Sequence, residues 1–181
     1  MIILVGESAS GKSSIQNELV KVYGYKRILE YTTRPKRTNE INGVDYHFIN
    51  EEEFVQLKKS NYFVAITCYN NWYYGIALKD CILENKNKII VTNPSALRQI
   101  EKAAIKNDKI NITSFYIKVP RRDRLIKILE RNDDVDEAIR RNMSDVGQFN
   151  GVEDEVDYIL TNDEYKFSVR EMTKKIHELY S

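Results

Sequence analysis

A chain of 181 residues with 42% apolar and 30% charged residues is long enough for one domain with a sizeable core, and this composition excludes a disordered or collagen-like chain. A formal net charge of +1 argues against a general nucleic-acid binder, and no apolar stretch approaches the length of a membrane span. Two cysteines, Cys68 and Cys81, without a C-x-x-C and with only two distant histidines exclude most zinc frameworks; two buried thiols in a reducing, cytoplasmic compartment are expected.

The chain opens on an apolar, β-branched run, Met1 to Val5, that reads as a buried strand entered at once without a charged leader. It breaks at Gly6 into Glu7, Ser8, Ala9 and Ser10, followed by Gly11, Lys12, Ser13 and Ser14, which fits the pattern G-x-x-x-x-G-K-[ST]. The two glycines let the backbone wrap a phosphate with the loop N–H groups pointing inward. Lys12 supplies charge for the β- and γ-phosphates of ATP, and Ser13 offers a hydroxyl to Mg²⁺. The helix that follows aims its positive end at the same anion. Strand, loop and helix in this succession are the context the motif needs, so a chance glycine- and serine-rich turn is the weaker account.

That helix spans residues 12–23, with Ile15, Leu19 and Val22 on one face and a stop at Gly24. A short extended piece at 26–31 leads into a segment where Pro35 forbids helix and Asn42-Gly43 marks a tight turn before an alternating strand at 44–49. The turn sets Arg34 and Arg37 on exposed backbone, either as solvated surface or, with a downstream tyrosine, as a grip on a second phosphate. Asn50 caps a helix that begins with Glu51-Glu52-Glu53 and turns Phe54 and Leu57 inward. Residues 62–74, crowded with aromatic and β-branched side chains, read as strands turning at Asn70-Asn71. Gly75 closes them, and 76–84 reads as a helix.

Residues 88–91 form a buried strand, 94–104 a helix with Pro94 in its first turn, and 112–119 the next strand. A basic helix at 121–131 carries Arg121, Arg122, Arg124, Lys127 and Arg131. Helical spacing scatters these around the axis, which makes a solvated face or a lid a better account than a nucleic-acid surface. A further helix at 135–149 carries Arg140 and Arg141, 156–160 is the last strand, and a closing helix turns Phe167, Val169, Met172 and Ile176 inward. Strands alternating with helices of this length predict an α/β fold with a doubly wound, mostly parallel five-stranded sheet and an antiparallel insertion at 32–75.

With these segments read, the chain resembles the guanylate kinase family of P-loop nucleoside monophosphate kinases over nearly its full length. The matches are Gly6 to Ser13, Thr32-Thr33-Arg34-Pro35, Arg37, Glu40, Gly43-Val44-Asp45-Tyr46, Tyr73-Tyr74-Gly75, Asp157-Tyr158 and Asn162-Asp163. The resemblance implies one domain with its core at 1–31, 76–120 and 151–181, an acceptor-binding insertion at 32–75 and a helical lid at 121–150. In that family, residues matching Arg34, Arg37, Tyr46 and Tyr74 hold the acceptor's phosphate, and lid arginines fold over the ATP phosphates. Arg131 matches the first lid arginine, and either Arg141 or Asn142 the second; Asn162 matches a position near the adenine. Lys12, Arg34, Arg131 and Arg141 are thereby the expected catalytic residues.

The family's guanine-reading positions differ. Glu30 stands where the family has a serine or similar residue, Ala65 where it has a glutamate, Ile76 where it has a small hydroxyl residue, and Val91-Thr92-Asn93 where it has D-x-D. Losing hydrogen-bonding partners from a base site weakens selection steeply, with Glu30 and Thr67 the candidates for compensation. The missing first aspartate leaves Ser13, Asn93 and water for the metal. The implied activity is phosphoryl transfer from Mg-ATP to GMP or dGMP, without nucleic-acid or membrane partners. Another nucleoside monophosphate or ribose 1,5-bisphosphate is an alternative acceptor, and a non-catalytic phospho-ligand module is the alternative of a different class. Nothing in the chain marks an oligomer interface.

Overall fold

The computed structural model describes residues 1–82, 87–130 and 135–181. The chain opens with β1 (Ile2–Val5), the glycine-rich loop and α1 (Lys12–Tyr23), as the motif requires. Gly24 ends α1 in the left-handed conformation, φ 70°, which glycine adopts without strain. Next come β2 (Lys26–Arg27), β3 (Tyr31–Thr32), β4 (His47–Phe48) and α2 (Glu51–Lys59). The Asn50 side chain accepts from the Glu53 N–H and so caps α2 as expected. The hairpin β5 (Phe63–Tyr69) and β6 (Trp72–Ala77) turns at Asn70 and Asn71, both with positive φ, the conformation of a tight hairpin turn. After α3 (Leu78–Cys81) follow β7 (Lys88–Val91), α4 (Pro94–Lys106), β8 (Thr113–Lys118), α5 (Arg121–Glu130), α6 (Val135–Asp145), β9 (Tyr158–Thr161) and α7 (Val169–Tyr180).

Among the described residues these strands make two sheets. The larger has the order β2-β7-β1-β8-β9 with every pairing parallel. Its central strands are buried on both faces, which is why they read as unbroken apolar runs. One face packs Ile2, Leu4 and Phe115 against Ile15 and Leu19 of α1 and Met172 and Ile176 of α7. The other packs Ile3, Val5 and Ile90 against Ala96, Leu97 and Ile100 of α4. The phosphate loop thus sits at the carboxyl edge of the central strand, where ligands bind in doubly wound sheets.

Several expectations are corrected. Val22 is 54% exposed, because the face that α1 turns to the sheet runs through Ile15, Gln16 and Leu19 to Val20 and Tyr23 and leaves Val22 to one side. The strand expected at 44–49 contracts to β4, which pairs parallel to β3, so the insertion's sheet, ordered β4-β3-β6-β5, is mixed. Gly75 does not end β6. A Cβ there would lie 2.7 Å from the Phe63 ring, so the glycine is a packing device inside the strand, which runs on through Ile76 and Ala77. The helix expected at 76–84 is therefore only the four residues of α3, and 83 and 84 lie outside the described residues. The helix expected at 135–149 stops at Asp145 and gives way to turns. Phe167 and Val169 are 52% and 40% exposed, since α7 begins only after a capping box built on Ser168 and Glu171. Cys81 is buried but Cys68 is exposed.

Candidate active site

The phosphate loop reaches its shape through three unusual backbone positions: Gly6 at φ 156°, Ala9 at φ 65° and Gly11 at φ 93°. At Gly6 a Cβ would lie 2.6 Å from the Ile117 carbonyl oxygen, so no larger residue fits beside β8. Lys12 folds back over the loop, its Nζ donating to the Glu7 carbonyl at 2.7 Å and to Ser10 Oγ at 3.3 Å. Burial brings the Lys12 ammonium down to about 8, although Asp145 and Glu7 act against the fall. Tyr165, beyond β9, donates its hydroxyl to the Ala9 carbonyl at 2.7 Å and braces the loop from the far side.

Across the sheet edge, the insertion assembles a cationic clamp. Thr32 Oγ1 accepts from the Arg34 N–H and Thr33 Oγ1 accepts from the Tyr73 N–H, so the paired threonines fix the turn against β6. Arg34 is buried, contrary to the expected exposed turn. A buried guanidinium needs a partner, and Glu40 supplies it at 2.6 Å while also accepting from the Arg37 N–H at 2.8 Å. Burial works the other way, yet the Arg34 guanidinium and the Arg37 amide hold the Glu40 carboxyl below its usual range. Arg34 also stacks over Tyr46 and Phe48, 5.4 Å and 5.6 Å from the ring centroids. Tyr46 and Tyr74 stand edge to face at 6.2 Å, and burial pushes the Tyr46 hydroxyl up to about 12. Four residues separated by up to forty positions thus form one cluster.

Loop and clamp face a single cavity of about 770 Å³, lined by Ser8, Arg34, Arg37, Tyr46 and Tyr74. Glu30, Thr67, Thr92 and Asn93 border the same space. Burial pushes the Glu30 carboxyl up to about 7, with a 3.2 Å hydrogen bond donated by Thr92 Oγ1 opposing the rise. Asn93 uses Oδ1 to cap α4, accepting from the Ala96 N–H at 3.0 Å, and points its amide nitrogen to Thr67 Oγ1 at 3.4 Å. Its oxygen is therefore already engaged when a metal is considered. Ala65 and Ile76 stand apart from this set. Both lie 2% exposed in the apolar core under α4, facing each other across the β5–β6 ladder.

The remaining expected residues are placed as follows. Ser13, exposed at the start of α1, borders a smaller cavity of about 280 Å³ with Glu30, Glu40 and Asp45. Arg27 lines the same cavity, Glu40 is engaged by Arg34, and no group of three or more His, Cys, Asp or Glu side chains that could hold a metal occurs among the described residues. Asn162 is buried and closes its own loop, donating to the Phe167 carbonyl and accepting from the Phe167 N–H. Asp157 ties β9 to β8 by accepting from both the N–H and the hydroxyl of Ser114. Arg131 and the side chain of Arg141 lie outside the described residues. Asn142 is buried at the base of α6, where its Oδ1 accepts from Arg121 Nε at 3.0 Å.

Comparison with known proteins gives this arrangement a family. The sequence profile described as guanylate kinase matches residues 1–179. The chain belongs to the guanylate kinase family. Its relatives include the guanylate kinases of Francisella tularensis subsp. holarctica, 31% identical over 96% of this chain and 94% of that protein, and of Rickettsia prowazekii, 30% identical over 99% and 89%. The crystal structure of guanylate kinase from Anaplasma phagocytophilum shares the fold, with a TM-score of 0.72 at 17% identity over 99% of this chain and 82% of that one. This guanylate-kinase family member is thus a nucleoside monophosphate kinase by descent.

Sequence reasoning missed three residues that shape the site. Arg124, taken as part of a solvated basic helix, is 5% exposed and reaches under the phosphate loop. Asp145, at the end of α6, accepts from the Ser8 N–H at 2.7 Å. Tyr165 carried no pattern at all. In each case the signal is a tertiary contact, and the Glu7 that stands within the loop is the one local hint that a cation belongs nearby.

Proposed function

We propose that the protein transfers the γ-phosphoryl group of ATP to the phosphate of GMP or dGMP. The observation that carries this reading is that one cavity joins the phosphate loop to the Arg34, Arg37, Tyr46 and Tyr74 clamp, so two phosphates would meet within it. Phosphoryl transfer asks the protein chiefly for positioning and charge neutralisation, which the loop's lysine and amides and the clamp's arginines would supply. On the donor side, Lys12 and the loop amides would hold the ATP phosphates. On the acceptor side, Arg34, already oriented by Glu40, presents a planar fork to an incoming phosphate. Ser13 would offer its hydroxyl to Mg²⁺, which when bound with ATP would neutralise charge on the phosphates. Glu30, Thr67, Thr92 and Asn93 are among the polar groups of the cavity that could meet the base.

ADP release in the presence of Mg-ATP, coupled to an absorbance readout, tests this acceptor by acceptor. Turnover with GMP or dGMP above that with AMP, dCMP, dTMP and ribose 1,5-bisphosphate is the expected result. Release no faster than the ATPase background with every acceptor would remove the kinase reading, and preference for another acceptor would remove its guanine assignment.

A further inference from the structure

The phosphate loop already holds an anion, and that anion belongs to the chain. The Ser8 N–H donates to Asp145 Oδ2 at 2.7 Å across 137 positions of sequence. The same oxygen lies 3.8 Å from Arg124 Nη1. Arg124 binds the loop as well: Nη1 donates to the Ser8 carbonyl at 3.3 Å and Nη2 lies 3.6 Å from Glu7 Oε1. Its Nε donates to the Val119 carbonyl at 3.0 Å, which anchors the guanidinium to the end of β8. Asp145 is also the foremost charge favouring the ammonium form of Lys12.

Position gives these contacts their meaning. Asp145 is the last residue of α6, and Arg124 lies in α5, the two helices of the segment expected to act as a lid. Asp145 also borders the joined cavity, beside Ser8. A loop whose amides and lysine suit a polyanion is here matched by a single carboxylate. Phosphate oxygens and this carboxylate compete for one N–H and repel each other beside Lys12, so they do not share the loop.

We propose that Asp145 is an internal stand-in for the donor phosphate, which holds α6 against the loop until the nucleotide displaces it and which thereby lowers donor affinity. This rests on the loop being the donor site. Arg124 is the positioning residue of the device: it stays on Val119 and Ser8 and keeps the loop shaped when the carboxylate leaves. Apparent affinity falls by the fraction of molecules competent to bind, so a loop occupied by Asp145 about nine-tenths of the time costs about tenfold.

The test is calorimetric titration of ADP into the full chain and into its Asp145→Asn and Asp145→Glu variants. Asp145→Asn keeps the shape but removes the charge, and is expected to bind ADP about tenfold more tightly. Asp145→Glu keeps the charge and is expected to stay within about threefold of the unaltered chain. Equal or weaker binding by Asp145→Asn would overturn the inference while leaving the donor site standing. Absence of ADP binding in all three proteins would overturn the donor site and the inference with it. A measurement without substitution covers a variant that fails to fold: in ¹H–¹⁵N spectra of the unaltered chain, the Ser8 amide must shift as ADP is added. A Ser8 amide that stays fixed while Gly11 and Lys12 move would overturn the proposal.

Discussion

Glu30→Gln should make the protein more stable at alkaline pH, and the reason lies in what surrounds this carboxyl. It borders two cavities, receives one hydrogen bond from Thr92, and is pushed by burial from 4.5 up to about 7. Below 4.5 the group is protonated whether the chain is folded or not, and costs nothing. Between 4.5 and about 7 the unfolded chain releases the proton while the folded chain keeps it, so stability falls as pH rises. Above about 7 the full cost is present. That displacement corresponds to about 3 kcal/mol, reduced to about 1–2 kcal/mol by water that reaches the cavity. Glutamine retains an oxygen to accept from Thr92 and cannot ionise. Urea unfolding of both proteins at about pH 8 and about pH 4.5 reads the difference, which should be about 1–2 kcal/mol in favour of the variant at the higher pH and within about 0.5 kcal/mol at the lower. An advantage that is absent at high pH, or equal at both, would refute the assignment of burial as the cause.

Two further outcomes follow from single features. Donor binding should weaken as pH rises through about 8, because Lys12 loses the proton with which it would meet the nucleotide's phosphates; calorimetry of ADP binding between about pH 7 and 9 checks this, and a flat profile would contradict it. Gly75→Ala should cost about 1–3 kcal/mol by forcing a methyl against the Phe63 ring, and Phe63→Leu in the same chain should recover part of that loss, as thermal or urea denaturation of the single and double variants will show.

What could be read from the sequence was what the chain decides locally. The phosphate loop is contiguous, so its glycines, lysine and serines carry their own geometry, and the caps at Asn50 and Gly24 and the Asn70-Asn71 turn are equally short-range. Gly75 misled because its role depends on Phe63, on the neighbouring strand, rather than on its own backbone. The fate of Phe167 was likewise settled at a distance from its own side chain, when Ser168 and Glu171 fixed where α7 begins. Arg124 was the hardest case. A charged residue on a basic helix is ordinarily solvated, and its burial is licensed only by the combination of Val119, Ser8, Glu7 and Asp145, which come from three separate segments.

Both halves of the site solve one electrostatic problem by different means. A phosphate-binding site needs buried cations and unpaired donors before its ligand arrives, and these are costly to hold without a counter-charge. On the acceptor side the counter-charge is Glu40, six residues from Arg34 and bound to the same turn through the Arg37 amide. Its proximity in sequence means it moves with the arginine it neutralises, so Arg34 is oriented whether or not a phosphate is present. On the donor side one counter-charge, Glu7, lies in the loop itself, and the other is Asp145, 137 residues from Ser8 and carried at the end of a separate helix. A partner so remote in sequence can part from the loop without unmaking it, since Arg124 and Tyr165 brace the loop by contacts of their own to Ser8 and Ala9. On the proposed reading, the local pair would give permanence and the distant pair reversibility, the division expected when one side of a site must stay formed while the other opens and closes over a nucleotide.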